Sequence, residues 1–217
     1  MKRSLGEELI RQLDMRRDDL FGAIVQHMEL VFMSMMLAIA IGVPLGIVIT
    51  RFSKLQSVVL GSAGVLQTVP SLALLGFMIP LFGIGVRTAV VALFLYSLLP
   101  IIRNTFTGIR DVDKSILEAA KGMGMTDLQI LFKVQLPLAL SVIMAGIRTS
   151  TVINVGTATL AAFIGAGGLG DFIFLGISRN IDALVLLGAI PAAVLALLFD
   201  FLLGLLERLT VPRGLKI

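Results

Sequence analysis

Asp111-Val-Asp-Lys-Ser-Ile-Leu-Glu118-Ala119-Ala120-Lys-Gly-Met-Gly124-Met125-Thr-Asp, running on to Val134-Gln-Leu136-Pro137, is a polar stretch set between apolar ones. Asp113 or Ser115 suits the start of a short helix holding Ile116, Leu117, Ala119 and Ala120, because a short acceptor side chain can satisfy the free N–H groups of a first turn. Gly122 and Gly124 then end or bend that helix. Thr126 or Asp127 suits the start of a second helix, which is expected to stop before Pro137, since the residue preceding a proline is pushed out of helical geometry. The pattern predicts a compact helix–turn–helix. Two small alanines beside one acid leave a surface that a partner can approach closely.

The flanks of this stretch decide where it lies. Of the 217 residues, 57% are hydrophobic and 15% charged, and the mean hydropathy is +1.01. A soluble domain is nearer half apolar and about a quarter charged, so the bilayer is the expected solvent. A membrane helix needs about 20 apolar residues, and five candidates are present. They are 28–50, a segment within the charge-free stretch between Lys54 and Arg87, 87–102, a segment within 138–163, and 183–206. The second stretch is longer than one span and contains Pro70 and Pro80, so a broken helix with an interfacial piece is expected there. The chain therefore reads as an all-α membrane protein. It divides into a charged N-terminal segment 1–27, a transmembrane domain 28–208 with its polar loop at about 108–137, and a tail 209–217. Residues 1–20 are charged and mixed in sign, and lack the apolar core and cleavage site of a signal peptide.

Loop charge sets orientation. Arg103, Arg110, Lys114, Lys121 and Lys133 fall between spans three and four, and Arg51, Lys54, Arg208, Arg213 and Lys216 follow spans one and five. All of these belong on the cytoplasmic side. Five spans then put the N-terminus outside, although Lys2, Arg3, Arg11, Arg16 and Arg17 favour the inside. Five nearby acids balance those bases in net charge.

Several chemistries are excluded. Without cysteine and with His27 as the one histidine, thiolate and His-rich metal sites are not expected, and no catalytic or metal-binding residue is assigned. His27, just before the first span, reads as interfacial. No basic cluster carries interleaved aromatics, so nucleic acid is not an expected partner. Gly165-Ala-Gly167-Gly-Leu-Gly170 formally matches a dinucleotide fingerprint, but a membrane helix precedes it where a strand is required. Those glycines are better suited to unwinding the outer end of span four or to close packing. There is no Gly-x-x-x-x-Gly-Lys-Ser/Thr loop, so any ATP site lies on another chain.

Within the membrane, Ser150, Asn154 and Thr157 share one helix face. They are candidates for lining a pathway or for bonding between helices. Gln67, Thr68, Pro70 and Ser71 mark the break in span two, where freed backbone groups need a cavity or neighbours. Arg148 and Asp200 stand at similar depths on spans four and five, which predicts an intramembrane ion pair. With no tryptophan and only Tyr96 as tyrosine, a high-affinity aromatic cage for a quaternary ammonium is not expected on this chain.

The loop resembles the Glu-Ala-Ala loop of permease subunits in ABC importers. That motif is Glu-Ala-Ala, three residues, Gly, nine residues, an aliphatic, one residue, then Leu-Pro. It is met by Glu118, Ala119, Ala120, Gly124, Val134, Leu136 and Pro137, with valine where isoleucine is usual. A finer resemblance over about 95–180 is to the osmoprotectant group, carried by Leu95-Tyr-Ser-Leu-Leu-Pro-Ile-Ile-Arg-Asn-Thr-Phe-Thr-Gly-Ile, Met144-Ala-Gly-Ile-Arg-Thr, Val152-Ile-Asn-Val-Gly-Thr-Ala-Thr-Leu-Ala-Ala and Ile164-Gly-Ala-Gly-Gly-Leu-Gly. The resemblance implies a type I ABC importer core like that of methionine permeases, in the bacterial inner membrane. It implies that Glu118, Ala119, Ala120, Gly124 and Met125 meet an ATPase subunit. The implied partners are two ATP-binding cassette subunits holding ATP and Mg, an extracytoplasmic binding protein, a second permease (identical or a close paralogue) and membrane lipid. The implied cargo is glycine betaine, carnitine, choline or a similar solute. Alternatives are a permease for methionine or another small polar solute, a secondary transporter, for which Asp200 is the one deep acid, and a purely structural membrane subunit.

Overall fold

The computed structural model describes residues 5–210, and all regular structure within them is helical. An amphipathic α1 (Leu5–Met15) lays Leu9 against the core. Part of the N-terminal charge is neutralised locally, because Arg11 pairs with Glu8 and Arg17 with Asp14. The long α2 (Arg17–Ile49) follows without a separate linker. Residues 17–27 are thus the first three turns of the helix that carries the first span, extending it beyond its apolar part.

The second span is broken as its prolines require, but only at one of them. α3 (Ser53–Thr68) and α4 (Ser71–Phe82) meet at 104°. At the break Val69 is extended (φ −70°, ψ 127°), the geometry that a following proline imposes. Pro80 lies inside α4, two residues before its end; the helix stops instead at Gly83, whose φ is +82°.

The remaining elements are α5 (Val86–Arg110), α6 (Lys114–Gly122), α7 (Asp127–Ile130), α8 (Leu136–Ala158), α9 (Gly170–Arg179) and α10 (Asp182–Thr210). A π-helical turn, Leu131–Gln135, joins α7 to α8, and a 3₁₀ turn, Thr159–Ile164, follows α8. The expected helix end before Pro137 is therefore not found: residues 127–164 form one continuous helical element. The π turn shifts the hydrogen-bond register, with the Leu136 N–H reaching the Leu131 carbonyl. Pro137 then falls in the first turn of α8, where a missing N–H costs least. Among the described residues four helices are long and apolar enough to cross a membrane, and the bent pair makes a fifth candidate. Leu209 and Thr210 belong to α10; the rest of the expected tail lies outside the described residues.

The centre is α5, packed against α2, α8, α4 and α3. Small residues let the backbones close up, as membrane helices require when packing and interhelical bonds must replace the hydrophobic drive. A Cβ at Gly46 would stand 2.5 Å from Thr105 Cβ, and one at Gly146 would stand 2.9 Å from the Pro100 carbonyl oxygen. α10 packs on α8 and α9. By contrast only Ala63, Leu74 and Leu75 of α3 and α4 are buried.

The helix ends sort into two groups. Gln26, near the start of α2, bonds the glycine turn after α8. Arg51, past its end, reaches the α7 segment. The N-terminal elements and the Glu118 segment thus lie at opposite ends of the bundle.

Candidate functional site

The Glu118 segment begins at Asp113, whose carboxylate accepts from the Ser115 backbone N–H at 2.8 Å and caps α6. That bond holds the Asp113 carboxyl below the usual carboxylate range. Gly124 closes α6 with φ +79°, a left-handed conformation that other residues adopt only with strain. Thr126 then starts α7 with a reciprocal capping box: its hydroxyl accepts from Gln129 N–H, and the Gln129 side chain accepts from the Thr126 N–H. The two caps fix the turn between the short helices.

The residues of the motif do not all face the same way. Glu118, Ala119 and Gly124 are exposed, Met125 is half-buried, and Ala120 is buried at 2%. Ala120 therefore packs into its own chain and offers no surface to a partner. The open side carries Ile116, Met123, Leu128 and Phe132, with Met123 75% exposed. The inner face of this segment is tied into the bundle through Gln135, in the π turn. Gln135 accepts from Arg51 at 3.3 Å and donates to the Ile109 carbonyl of α5 at 3.3 Å, while Arg51 also donates to the Asp127 carbonyl at 3.4 Å. These bonds tie the segment to the ends of α2 and α5.

Higher on α8, Arg148 meets α10. Its Nε donates to Oδ1 of Asp200 and its Nη2 to Oδ2, each at 3.0 Å, in the parallel geometry that suits a guanidinium and a carboxylate. A second acid, Glu207, takes Nη1 at 3.0 Å. The guanidinium crosses α10 over Gly204, where a Cβ would stand 3.2 Å from Arg148 Cζ. Asp200, Gly204 and Glu207 are four and three residues apart, one stripe of α10.

The polar face of α8 divides. Ser150 and Asn154 are buried at 0% and 1%. Ser150 donates to the Ser97 carbonyl at 2.8 Å; the Asn154 amide donates to Ser97 Oγ at 2.6 Å and accepts from Ser34 at 3.2 Å. These two side chains join α2, α5 and α8, the second of the two roles the sequence left open for them. Thr157 is half-buried and bonds its own helix at the Ile153 carbonyl. At the break between α3 and α4, Gln67 donates to the Tyr96 carbonyl at 3.1 Å and the Tyr96 hydroxyl donates to the freed Val69 carbonyl. Thr68 and Pro70 are exposed and Ser71 half-buried.

At the other end, Gly165, Gly167 and Gly168 all have positive φ. The Gly168 N–H donates to the Gln26 side chain at 3.1 Å. His27 is not interfacial as its position suggests; it is fully buried, with Nε2 3.1 Å from the Val155 carbonyl oxygen. A cleft of about 330 Å³ beside this turn is lined by Arg16, Asp19, Gln26, Asp171 and Phe172 among others, and burial pushes the Asp171 carboxyl up.

Residues 42–211, well over half of the chain, match the family described as binding-protein-dependent transport system inner membrane component. The chain belongs to that family. This permease is 51% identical over 191 residues to the carnitine transport permease protein OpuCB of Listeria monocytogenes, covering 88% of each chain. It is 48% identical over 191 residues to the glycine betaine/carnitine/choline transport system permease protein OpuCB of Bacillus subtilis, again covering 88% of each. To the osmoprotectant import permease protein OsmW of Salmonella typhimurium it is 48% identical over 196 residues, covering 88% and 91%. Its fold matches a chain of the MetNI methionine ABC transporter in an inward-facing conformation with a TM-score of 0.79, at 24% identity, covering 89% of the permease and 96% of that chain. The permease is a multi-pass protein of the inner, cytoplasmic membrane with an all-α, type I ABC importer fold.

Five residues of the permease escaped the sequence reading, among them Ser34 of α2, which donates to Asn154. Gln135 lies inside the motif, at a position the motif leaves open. Tyr96 and Ser97 sit on α5 beside the groups they bond, and Glu207 shares its stripe with Asp200 at a spacing that could have identified it.

Proposed function

We propose that the permease forms the membrane pathway of an ATP-driven importer for a compatible solute of the glycine betaine, carnitine and choline class. The observation that carries this reading is the extent of likeness to permeases named for those solutes, 48–51% over 88% of the chain. The working complex pairs it with a second permease, identical or a close paralogue, with two ATP-binding cassette subunits that hold ATP and Mg, and with an extracytoplasmic binding protein. The transmembrane domain 28–208 carries the solute, and the loop at about 108–137 carries the coupling.

In that complex Glu118, Ala119, Gly124 and Met125, with the open apolar side chains Met123 and Leu128, form the surface that the ATPase grips. Ala120 supports that surface from beneath. Leu128 and Met123 are 69% and 75% exposed, and apolar side chains clustered on a cytoplasmic segment mark a protein contact. The exposed residues at the helix break, Thr68 and Pro70 with Gln67 and Ser71 beside them, and Thr157 on α8, line the pathway. Solute selection rests mainly with the binding protein, since Tyr96 is the one tyrosine and tryptophan is absent.

Uptake of labelled glycine betaine, carnitine and choline by the reconstituted complex tests the solute class; transport of none of them refutes it. Gly124→Leu tests the coupling surface. No atom of the permease lies within 4 Å of the new Cβ, but the left-handed backbone (φ +79°) strains any side chain there. The strain is confined to the turn between α6 and α7, so insertion should persist while ATPase co-purification falls more than about tenfold. Gly124→Asn, which tolerates that backbone, should lose less. Normal assembly and normal uptake would refute the coupling role.

A further inference from the structure

The outer half of α5 is met by α4 as well as by α2, α8 and α3; towards its inner end three sides are covered and the fourth is open. Gly146 of α8 sits over Pro100 and Asn104, and Ala139 and Val142 sit over Gly108. Gly42 and Gly46 of α2 sit over Ile101 and Thr105. Val59 and Leu60 of α3 pack with Leu98, Ile102 and Phe106. The uncovered side is the groove between α3 and α8, and Arg103 lies in it. Arg103, expected from the sequence in the loop after span three, lies instead inside α5, seven residues before its end. It is exposed and makes no hydrogen bond or ion pair within the described residues. Arg148, by contrast, is held by two carboxylates.

The groove has a direction. Arg103 is seven residues past Tyr96, close to two full turns, so the two share one stripe of α5, with Arg103 about 10 Å nearer the inner end. Tyr96 is the residue that closes the break between α3 and α4. Pro100 and Thr107, both partly exposed, occupy the same stripe. An unpaired guanidinium on a membrane helix is costly against hydrocarbon and belongs in water or on an anion. Its planar fork of donors fits a carboxylate through two parallel bonds.

We propose that Arg103 is a specificity-determining residue on the inner half of the pathway, where it receives the carboxylate of a zwitterionic solute leaving the helix break and disfavours solutes and inorganic ions that carry only positive charge. A betaine or carnitine has such a carboxylate and choline does not, so this permease discriminates between them after the binding protein has delivered them. The inference rests on the compatible-solute reading.

The assembled complex in proteoliposomes tests it. Arg103→Gln should lower the turnover of glycine betaine about tenfold relative to choline, with KM unchanged, and Arg103→Lys should recover much of the difference. Loss by the same factor for both solutes, or no loss, overturns the proposal. The permease has no cysteine, so Arg103→Cys supplies a single thiol. A charged, membrane-impermeant thiol reagent applied from the inner side should modify it, and glycine betaine should slow the reaction. Labelling no faster than at Leu197→Cys on the apolar outer face of α10, or labelling that the solute does not slow, overturns it. So does a dependence of transport on anionic lipid that disappears with Arg103, which would place the guanidinium on a headgroup phosphate. Failure of the wild-type complex to carry any of these solutes would refute the solute class instead; only the variant-to-wild-type comparison bears on Arg103.

Discussion

The permease has an irregular segment at each end of the bundle, and the two are built in opposite ways. The outer one, after α8, is locked into its own chain: Gly168 is bonded to Gln26, and a Cβ at Gly170 would stand 1.9 Å from the Thr159 carbonyl oxygen. The inner one, α6 to the π turn, is held by caps and by Gln135 but leaves Met123, Leu128 and Phe132 open. Polar backbone at membrane depth must be satisfied within the protein, which explains the first. Uncovered apolar side chains on the inner segment fit the proposed contact with the ATPase, which would account for the second.

The largest effect should come from filling the outer segment. Gly170→Val sets a side chain against backbone that cannot move aside, at or beyond the upper end of the roughly 1–3 kcal/mol that overpacking costs. Little or no monodisperse permease should survive detergent extraction. A normal yield and melting temperature would show that the outer segment is looser than its contacts imply.

Next in size is a contrast between neighbours at the inner end. Ala120→Phe should lower the folded yield of the permease alone, because that side chain is buried. Ala119→Phe should leave folding intact and reduce ATPase co-purification. If both behaved alike, the division of the motif into an inward and an outward face would be wrong.

That division shows how far the sequence could be read. Apolar runs exposed the spans, and proline at position 70 exposed the break, because both act through the local backbone. A family resemblance supplied the Glu-Ala-Ala motif, yet it could not say that Ala120 turns inward, since both alanines suit either side. The same limit applies to Ser150 and Asn154: a polar face on a membrane helix can line water or bond a neighbour, and only the position of Ser97 and Ser34 decides. Pro137 misled because a π turn, which no local signal announces, let the helix run through it. Depth arithmetic set Arg148 and Asp200 level; the second acid, Glu207, was legible only from its seven-residue spacing to Asp200, which depth does not use.

Glu207 changes what a charge-removal series should show. Arg148→Met strands two acids and should cost more folded yield than Asp200→Asn, which leaves Arg148 with Glu207. Restoring yield in a variant with Arg148→Met, Asp200→Asn and Glu207→Gln together would show that stranded charge is the cause. Equal losses for the two single changes would mean that the three do not act as a unit.

The smallest effect is expected at Gln135. Gln135→Leu removes one bond to Arg51 and one to the Ile109 carbonyl, about 1 kcal/mol each. The complex should still assemble and hydrolyse ATP, but with fewer solute molecules carried per ATP. An unchanged ratio would show that the π turn does not transmit motion to α5.

The central claim is that the inner segment, not the outer one, meets the ATPase. A photo-reactive residue placed at Met123, 75% exposed at the inner end, and separately at Ile177, 64% exposed on α9 at the outer end, tests it most directly. In the assembled complex Met123 should crosslink to the ATP-binding subunit and Ile177 should not. A crosslink to that subunit from Ile177, or none from Met123, would contradict the account.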